Sequence, residues 1–382
     1  VRCHMKKKLI VALALAAIVV VCTFQVACAE ESGVSVTSHS AYLADEYGRE
    51  IYSYNADAKH EIASMVKIMT ATLVFESIDR GDLSVDEKIT VSEEASGMGG
   101  SQMFLDAGSE YPVGDLLKGV IVASANDASY ALAERVAGSA DAFVAMMNEK
   151  ASQLGMSGTK FANCTGLPSQ SEQYSTARDV NTMTRELMKH DLYFEYSSIW
   201  TEDYVHPSGR VTNLTNTNKL IRQYQGCKGG KTGYTDNAGF CLSACAERNG
   251  VSAVATIIGA ADSKTRFAEC SRLLNYAFAN CRYESVLDQG QSADIEIKVK
   301  SGKTKTVVPV AAEKVGMSLM RGEDLTVEYV PYDVKAPVAK GDVIAKAIVT
   351  CGDRRAEFDL VSPIDIEKAS WLDFIRDIAD RW

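Results

Sequence analysis

Ser64 and Lys67 are of the right types, at the right spacing, to do chemistry together. They stand three positions apart in the run His60-Glu61-Ile62-Ala63-Ser64-Met65-Val66-Lys67-Ile68-Met69-Thr70-Ala71-Thr72-Leu73-Val74. Residues at that separation share a helix face, so a helix opening at Ser64 sets the lysine amine one turn beyond the hydroxyl. Ile62, Val66, Met69 and Leu73 follow helical spacing and are expected to bury the opposite face. A serine hydroxyl is a weak nucleophile until a neighbour takes its proton. Lys67 serves as that neighbour only when neutral, which calls for burial and a second cation close by. Spacing alone is weak, because Ser157-Gly158-Thr159-Lys160 repeats it in a glycine-containing turn with no apolar period behind it.

Two further motifs offer the missing groups. Ser124-Ala125-Asn126 falls between the apolar-periodic segments Val113 to Val122 and Ala128 to Val136, which predicts an interhelical loop. Lys231-Thr232-Gly233 follows two glycines and precedes Phe240 to Cys245 and Val251 to Ile258, a series that reads as antiparallel strands. Ser53-Tyr54-Asn55 repeats the middle motif, whereas Lys-Thr-Gly occurs once. A helix start, an interhelical loop and a glycine-flanked strand can each present side chains to one cleft.

The elements that must position these groups divide the chain. Tyr42 to Asp45 and Glu50 to Tyr54 flank a Glu46-Tyr47-Gly48-Arg49 turn and predict a hairpin. Helical patterns dominate from about residue 76 to 225, with further helices over Ala142 to Leu154 and Ala177 to Met188. The strands after 226 end in a long helix, Arg266 to Ala279. Strands at both ends with helices between predict a mixed α/β (α+β) domain, in which the ends share an antiparallel sheet and the middle forms a helical lobe. From about 284 to 362 the pattern is all-β, with Asp294 to Lys300 alternating strictly and short strands near Val307, Val327, Ile348 and Phe358. The expected division is 1–29, 30–282, 283–362 and a C-terminal amphipathic helix in 363–382. Its Trp371, Leu372, Ile375, Ile378, Ala379 and Trp382 form one stripe over Ile366 to Trp382, which suits a membrane interface.

Composition bounds what such a protein does. The chain has 382 residues, 46% hydrophobic and 24% charged, which suffices for two globular domains. Lys6-Lys7-Lys8, an apolar run from Leu9 to Val21 and Ala27-Cys28-Ala29 form a secretory signal layout, and cleavage at Cys28 as a lipoprotein is the competing reading. Loss of residues 1–29 removes four cations and no acid, taking the formal charge from −10 to −14. So acidic a protein does not bind nucleic acid through a basic face. Seven cysteines remain: Cys164, Cys227, Cys241, Cys245, Cys270, Cys281 and Cys351. Export permits disulfides. A strand turn centred on Asp236 would let Cys227 face Cys245. Cys241 and Cys245 have zinc-like spacing but no histidine near, so no metal is expected.

The three motifs, in this order, resemble those of the low-molecular-mass penicillin-binding proteins, the serine-type D-alanyl-D-alanine carboxypeptidases. The stretches Gly119 to Ala128 and Tyr174-Ser175-Thr176-Ala177-Arg178-Asp179 and the trailing β-domain extend the likeness over about residues 33 to 362. The resemblance implies a β-lactamase/transpeptidase-like fold and removal of the terminal D-alanine from peptidoglycan stem peptides through an acyl-serine. It implies acylation by β-lactams and no cofactor. By position it makes Ser64 the nucleophile, Lys67 its base and Ser124 a proton relay to the departing D-alanine. Asn126 would hold the substrate amide, and Lys231 and Thr232 the terminal carboxylate, with Lys231 also keeping Lys67 neutral. The N–H groups of Ser64 and Tyr234 would form an oxyanion hole, and Gly233 would let the substrate strand approach closely. Arg266 resembles a family arginine near the carboxylate pocket, and pairing with an acid is its other reading. Arg178 and Asp179 are expected to brace the loop near the site. Competing readings are a D,D-endopeptidase, a β-lactamase, for which Glu172 is the available acid, and a non-catalytic wall-binding scaffold.

Overall fold

The computed structural model describes residues 33–373 and 375. The expected signal segment 1–29 therefore lies outside the described residues. Residues 33–37 carry neither helix nor strand, and Ser38 begins a separate compact unit.

Ser40–Asp45 (β1) is buried at every position, and Glu50–Tyr54 (β2) folds back on it across the expected turn. Far along the chain, Cys227–Thr235 (β3), Gly239–Arg248 (β4) and Val251–Ala260 (β5) form a meander. The two ends join as expected in one antiparallel sheet of order β2-β1-β5-β4-β3, with β1 paired to β5 and β3 at the edge. An edge strand keeps one row of backbone groups unpaired with any strand, and β3 carries Lys231, Thr232 and Gly233.

Helices pack on this sheet. Ser263–Asn280 (the last long helix) lies against β4 and β5, and Ala177–Leu187 lies against β1 and β5. Lys67–Asp79, designated α1, packs on Ala177–Leu187 and is buried on every side rather than on one face. Its polar residues are compatible with that burial because their hydroxyls find carbonyls: Thr70 donates to Cys164 O at 2.7 Å, Thr72 to Ile68 O at 2.8 Å and Ser77 to Leu73 O at 2.9 Å. So enclosed a helix gives Ser64 and Lys67 a rigid base.

Beyond residue 280 the chain is built of strands. Cys281–Leu287 pairs with Val315–Met320, and Val310–Ala311, Arg354–Val361, Val343–Cys351 and Thr326–Pro331 form a four-stranded sheet. Ile297–Lys300 pairs with Thr306–Val307 and Val334–Lys335, so the alternating run expected from Asp294 becomes strand only from Ile297. Two hydrophobic clusters result, one drawn from residues 42–258 and one from 287–366. Buried Asp45 at the end of β1 reaches across to the later strands. Arg49 and Arg354 flank it at 3.2 and 3.3 Å, and Arg354 also meets Glu323 at 2.9 Å.

Two expectations need correction. Ile366 does not begin a helix, because it bridges to Val338 and is buried. The helical residues that are described are Trp371–Asp373 and Ile375, and the remainder of the expected helix lies outside the described residues. The β3–β4 hairpin is centred on Asn237 rather than Asp236. An irregularity between Cys227 and Gly229 then sets Cys227 opposite Ala246, and Gly229 opposite Cys245. All seven described cysteines are free thiols.

Candidate active site

Ser64 sits in a 3₁₀ turn, Ala63–Val66, opened by Ala63 at φ +47°, and the α-helix begins at Lys67 rather than at Ser64. The tighter turn still brings the pair together. Lys67 Nζ donates to Ser64 Oγ at 3.2 Å and to the carbonyl of Thr165 at 2.5 Å. The lysine is 1% exposed. Burial lowers its pKa to about 7, against the opposing pull of Cys164 and Asp127. A neutral amine at that distance is placed to take the hydroxyl proton.

Ser124 has left-handed backbone angles, φ 62° and ψ 33°, and ends the helical stretch that precedes it. Its Oγ accepts from Lys231 Nζ at 2.7 Å, a contact spanning 107 residues of sequence. Lys231 also donates to the carbonyl of Thr232 at 3.1 Å. Burial first, then repulsion by Lys67 and Arg266, holds the Lys231 amine well below the ordinary lysine value. The expected second lysine is therefore present near Lys67. The expected cause differs, since burial is what chiefly neutralises Lys67.

Asn126 does not lie in a loop but opens the helix Asn126–Ala137. It is 2% exposed, its Nδ2 donates to Gly99 O at 2.6 Å, and its buried Oδ1 has no partner. Thr232 donates through Oγ1 to Thr217 Oγ1 at 2.8 Å. Arg266 donates through Nη1 to the carbonyls of Gly233 at 3.0 Å and Cys241 at 3.2 Å, under the rings of Phe240 and Phe267. It forms no ion pair among the described residues, so the reading as an acid's partner falls. Tyr234 is half exposed and packs on Phe240 with ring centroids 4.3 Å apart.

Gly233 is small for a reason beyond the expected approach of a substrate strand. A Cβ there would stand 2.5 Å from Ile62 O, 3.2 Å from Ala63 Cβ and 3.3 Å from Met65 N. The close approach it permits is that of the Ser64 turn to the edge strand. Arg178 and Asp179 are braces, as expected. Arg178 holds Asp57 and Glu50, each at 2.7 Å, and Asp179 accepts from Gly158 N and Thr159 Oγ1 at 2.9 and 2.8 Å.

Sequence reasoning missed two contributors. The Asn163–Gly166 turn lies against the nucleophile. Asn163 Oδ1 accepts from the N–H groups of Thr165 and Gly166 at 3.1 and 2.7 Å, and a Cβ on Gly166 would stand 2.9 Å from Ser64 N. Asp127 was passed over as a neighbour of Asn126. Its buried carboxylate accepts from the N–H groups of Met103, Leu105 and Ala128 at 3.0 ± 0.1 Å, tying the segment that covers Asn126 to the helix that carries it. No group of His, Cys, Asp and Glu among the described residues has the arrangement of a metal site.

An antiparallel sheet with a helical lobe, a half-buried serine bonded to a buried lysine and a second lysine on the adjoining edge strand define the penicillin-binding, transpeptidase-like class of serine enzyme. Penicillin-binding protein 5 from Haemophilus influenzae matches at 28% identity and a TM-score of 0.64, over 87% of this chain and 98% of that one. The fold is shared also with PBP3 from Streptococcus pneumoniae, at a TM-score of 0.71, 24% identity and 87% and 99% coverage. The family model for peptidase S11, D-alanyl-D-alanine carboxypeptidase, matches residues 26–262. D-alanyl-D-alanine carboxypeptidase DacF of Bacillus subtilis (strain 168) is 35% identical over 90% of this chain and 89% of its own length. The chain belongs to the S11 family of serine-type D-alanyl-D-alanine carboxypeptidases.

Proposed function

We propose that this protein removes the terminal D-alanine from peptidoglycan stem peptides through an acyl-Ser64 intermediate, and that β-lactams acylate the same serine. The observation that carries the assignment of roles is the hydrogen bond from buried Lys67 to Ser64, in a site that lowers the lysine pKa to about 7. Lys67 takes the Ser64 proton as the oxygen attacks the carbonyl of the penultimate D-alanine. The N–H groups of Ser64 and Tyr234, drawn together by the close packing at Gly233, hold the oxyanion. Ser124, bonded to Lys231, passes a proton to the departing amine, and water then releases the shortened peptide.

Substrate binding follows from the same contacts. The terminal carboxylate meets Lys231 and Thr232, while Arg266 supports the strand through the Gly233 carbonyl and adds positive potential. Asn126 Oδ1, buried and unpartnered, accepts the substrate's amide N–H. The stem peptide lies along the open edge of β3 as an added strand.

The division into a catalytic part, 30–282, a β-part, 283–362, and a terminal helix, 363–382, is part of this reading, and the two hydrophobic clusters support it. Action is outside the cytoplasmic membrane, where stem peptides are processed. Trp371, Leu372 and Ile375 are 69%, 53% and 53% exposed, which supports docking on the outer face of that membrane. No helix of the described residues is long and apolar enough to cross it.

The test is D-alanine release from a diacyl-Lys-D-Ala-D-Ala tripeptide, run beside Ser64→Ala. Release by the parent and none by the variant establishes reaction and nucleophile. Acylation of Ser64 by penicillin without release would point instead to an endopeptidase on cross-links, and failure of both would make the fold a scaffold.

A further inference from the structure

A groove of about 290 Å³ opens beside the nucleophile turn, lined among others by Glu61, Ala63, Leu167, Ser169, Glu172 and Tyr174. Nothing in the proposed chemistry uses it. Its wall is the chain that follows Gly166, pressed against the backbone of Ala63 and Ser64. Its position along the edge strand is informative. On the proposed reading, the leaving D-alanine's carboxylate lies at Lys231 and Thr232. Moving along β3 past Gly233 and Tyr234 leads to the hairpin turn, where Asn237 Nδ2 donates to Glu61 at 3.2 Å. The groove thus lies on the acyl side of the scissile bond, where the stem peptide enters. Its volume suits one long side chain rather than a whole peptide.

Glu61 and Glu172 are the charged residues that line it, and no lysine or arginine is among its lining. Two cations stand at its outer margin. Lys160 Nζ is 3.3 Å from Glu172, and Lys59 Nζ lies over the Tyr174 ring at 4.5 Å. The Lys160–Glu172 pair is exposed on both sides, 49% and 77%, so solvent screens it and an incoming ammonium can replace the lysine. Hydroxyls of Ser169 and Ser171 and the amide of Gln170 complete a polar rim.

The geometry points to this groove as the subsite for the stem residue just before the two D-alanines, with a preference for a side chain ending in an ammonium group over an acylated or acidic one. Glu61 and Glu172 are its specificity-determining residues. The inference rests on the proposed function and names the substrate class it takes.

The experiment compares kcat/KM for Nα-acetyl-Lys-D-Ala-D-Ala with that for the Nα,Nε-diacetyl form. The free-amine substrate is expected to lead by about twofold to fivefold at low salt, as for solvent-exposed charge contacts, with the lead shrinking as salt is added. In the double variant Glu61→Gln/Glu172→Gln the ratio should fall to about one, and Glu172→Lys should favour the diacetyl form. Because the readout is a ratio between substrates, a general loss of activity cancels. A parent ratio near one, or a lead that survives in the double variant, overturns the assignment while D-alanine release from the diacetyl form leaves the carboxypeptidase reading standing. Release from neither substrate overturns that reading, and the groove assignment with it.

Discussion

Gly233→Ala tests whether the edge strand sets the position of the nucleophile. The added methyl carbon would begin 2.5 Å from Ile62 O, 3.2 Å from Ala63 Cβ and 3.3 Å from Met65 N. An ordinary contact needs about 3.4 Å, so the Ile62 carbonyl has to retreat by roughly 0.9 Å. The opposing atoms belong to backbone or to a Cβ, and no flexible side chain can absorb the move. Overpacking of this kind costs about 1–3 kcal/mol of stability. The larger effect falls on chemistry, because the retreating turn carries Ser64 away from Lys231, Tyr234 and the oxyanion position. Displacement on the order of 1 Å costs about 10²-fold in rate. The assay is penicillin acylation followed by stopped flow, with thermal unfolding recorded on the same sample. We expect acylation slowed by about 10²-fold in a protein still folded at the assay temperature. Acylation within threefold of the parent, with an unchanged melting temperature, would refute the claim that this glycine exists to admit the Ser64 turn.

Acylation should rise with pH through a midpoint of about 7, because Lys67 must lose its proton to act as base and burial places its pKa there; a flat profile between pH 5.5 and 9 would remove Lys67 from that role. Asp127→Ala leaves the N–H groups of Met103, Leu105 and Ala128 without their carboxylate, and a loss of about 2–4 kcal/mol in urea unfolding is expected, against less than 0.5 kcal/mol if the tie is dispensable. Arg266→Leu orphans the carbonyls of Gly233 and Cys241, so KM for the D-alanine substrate should rise and stability fall by about 1–3 kcal/mol; an unchanged KM would separate Arg266 from the site. Titration of the denatured, unreduced chain from Glu30 onward should find seven free thiols, and five or fewer would reveal a disulfide.

Much of this protein was legible in its sequence because the signals are local. Three-residue spacing set Lys67 over Ser64, alternation and turn residues gave the β1–β2 hairpin, and apolar runs gave the meander that carries Lys231. What remained hidden has a common cause. Thr165 reaches Lys67 through its carbonyl, a group every residue possesses, so no side-chain type marks it. Gly166 and Gly233 act by lacking a Cβ, and a sequence shows that lack without showing what fills the space. The Cys227 register depended on one irregular residue in a strand, which shifts pairing without altering composition.

Chain-local chemistry therefore determined which groups were available: a hydroxyl and an amine one turn apart, a serine and an asparagine between two helical segments, and a lysine on a glycine-flanked strand. The tertiary structure decided what those groups are. It buried Lys67 until its pKa fell to about 7, joined Lys231 to Ser124 across 107 residues, and pressed the Ser64 turn between Gly233 and Gly166. Protonation state and sub-ångström placement depend on how much water and which backbone surround a group, and only the folded chain supplies those surroundings.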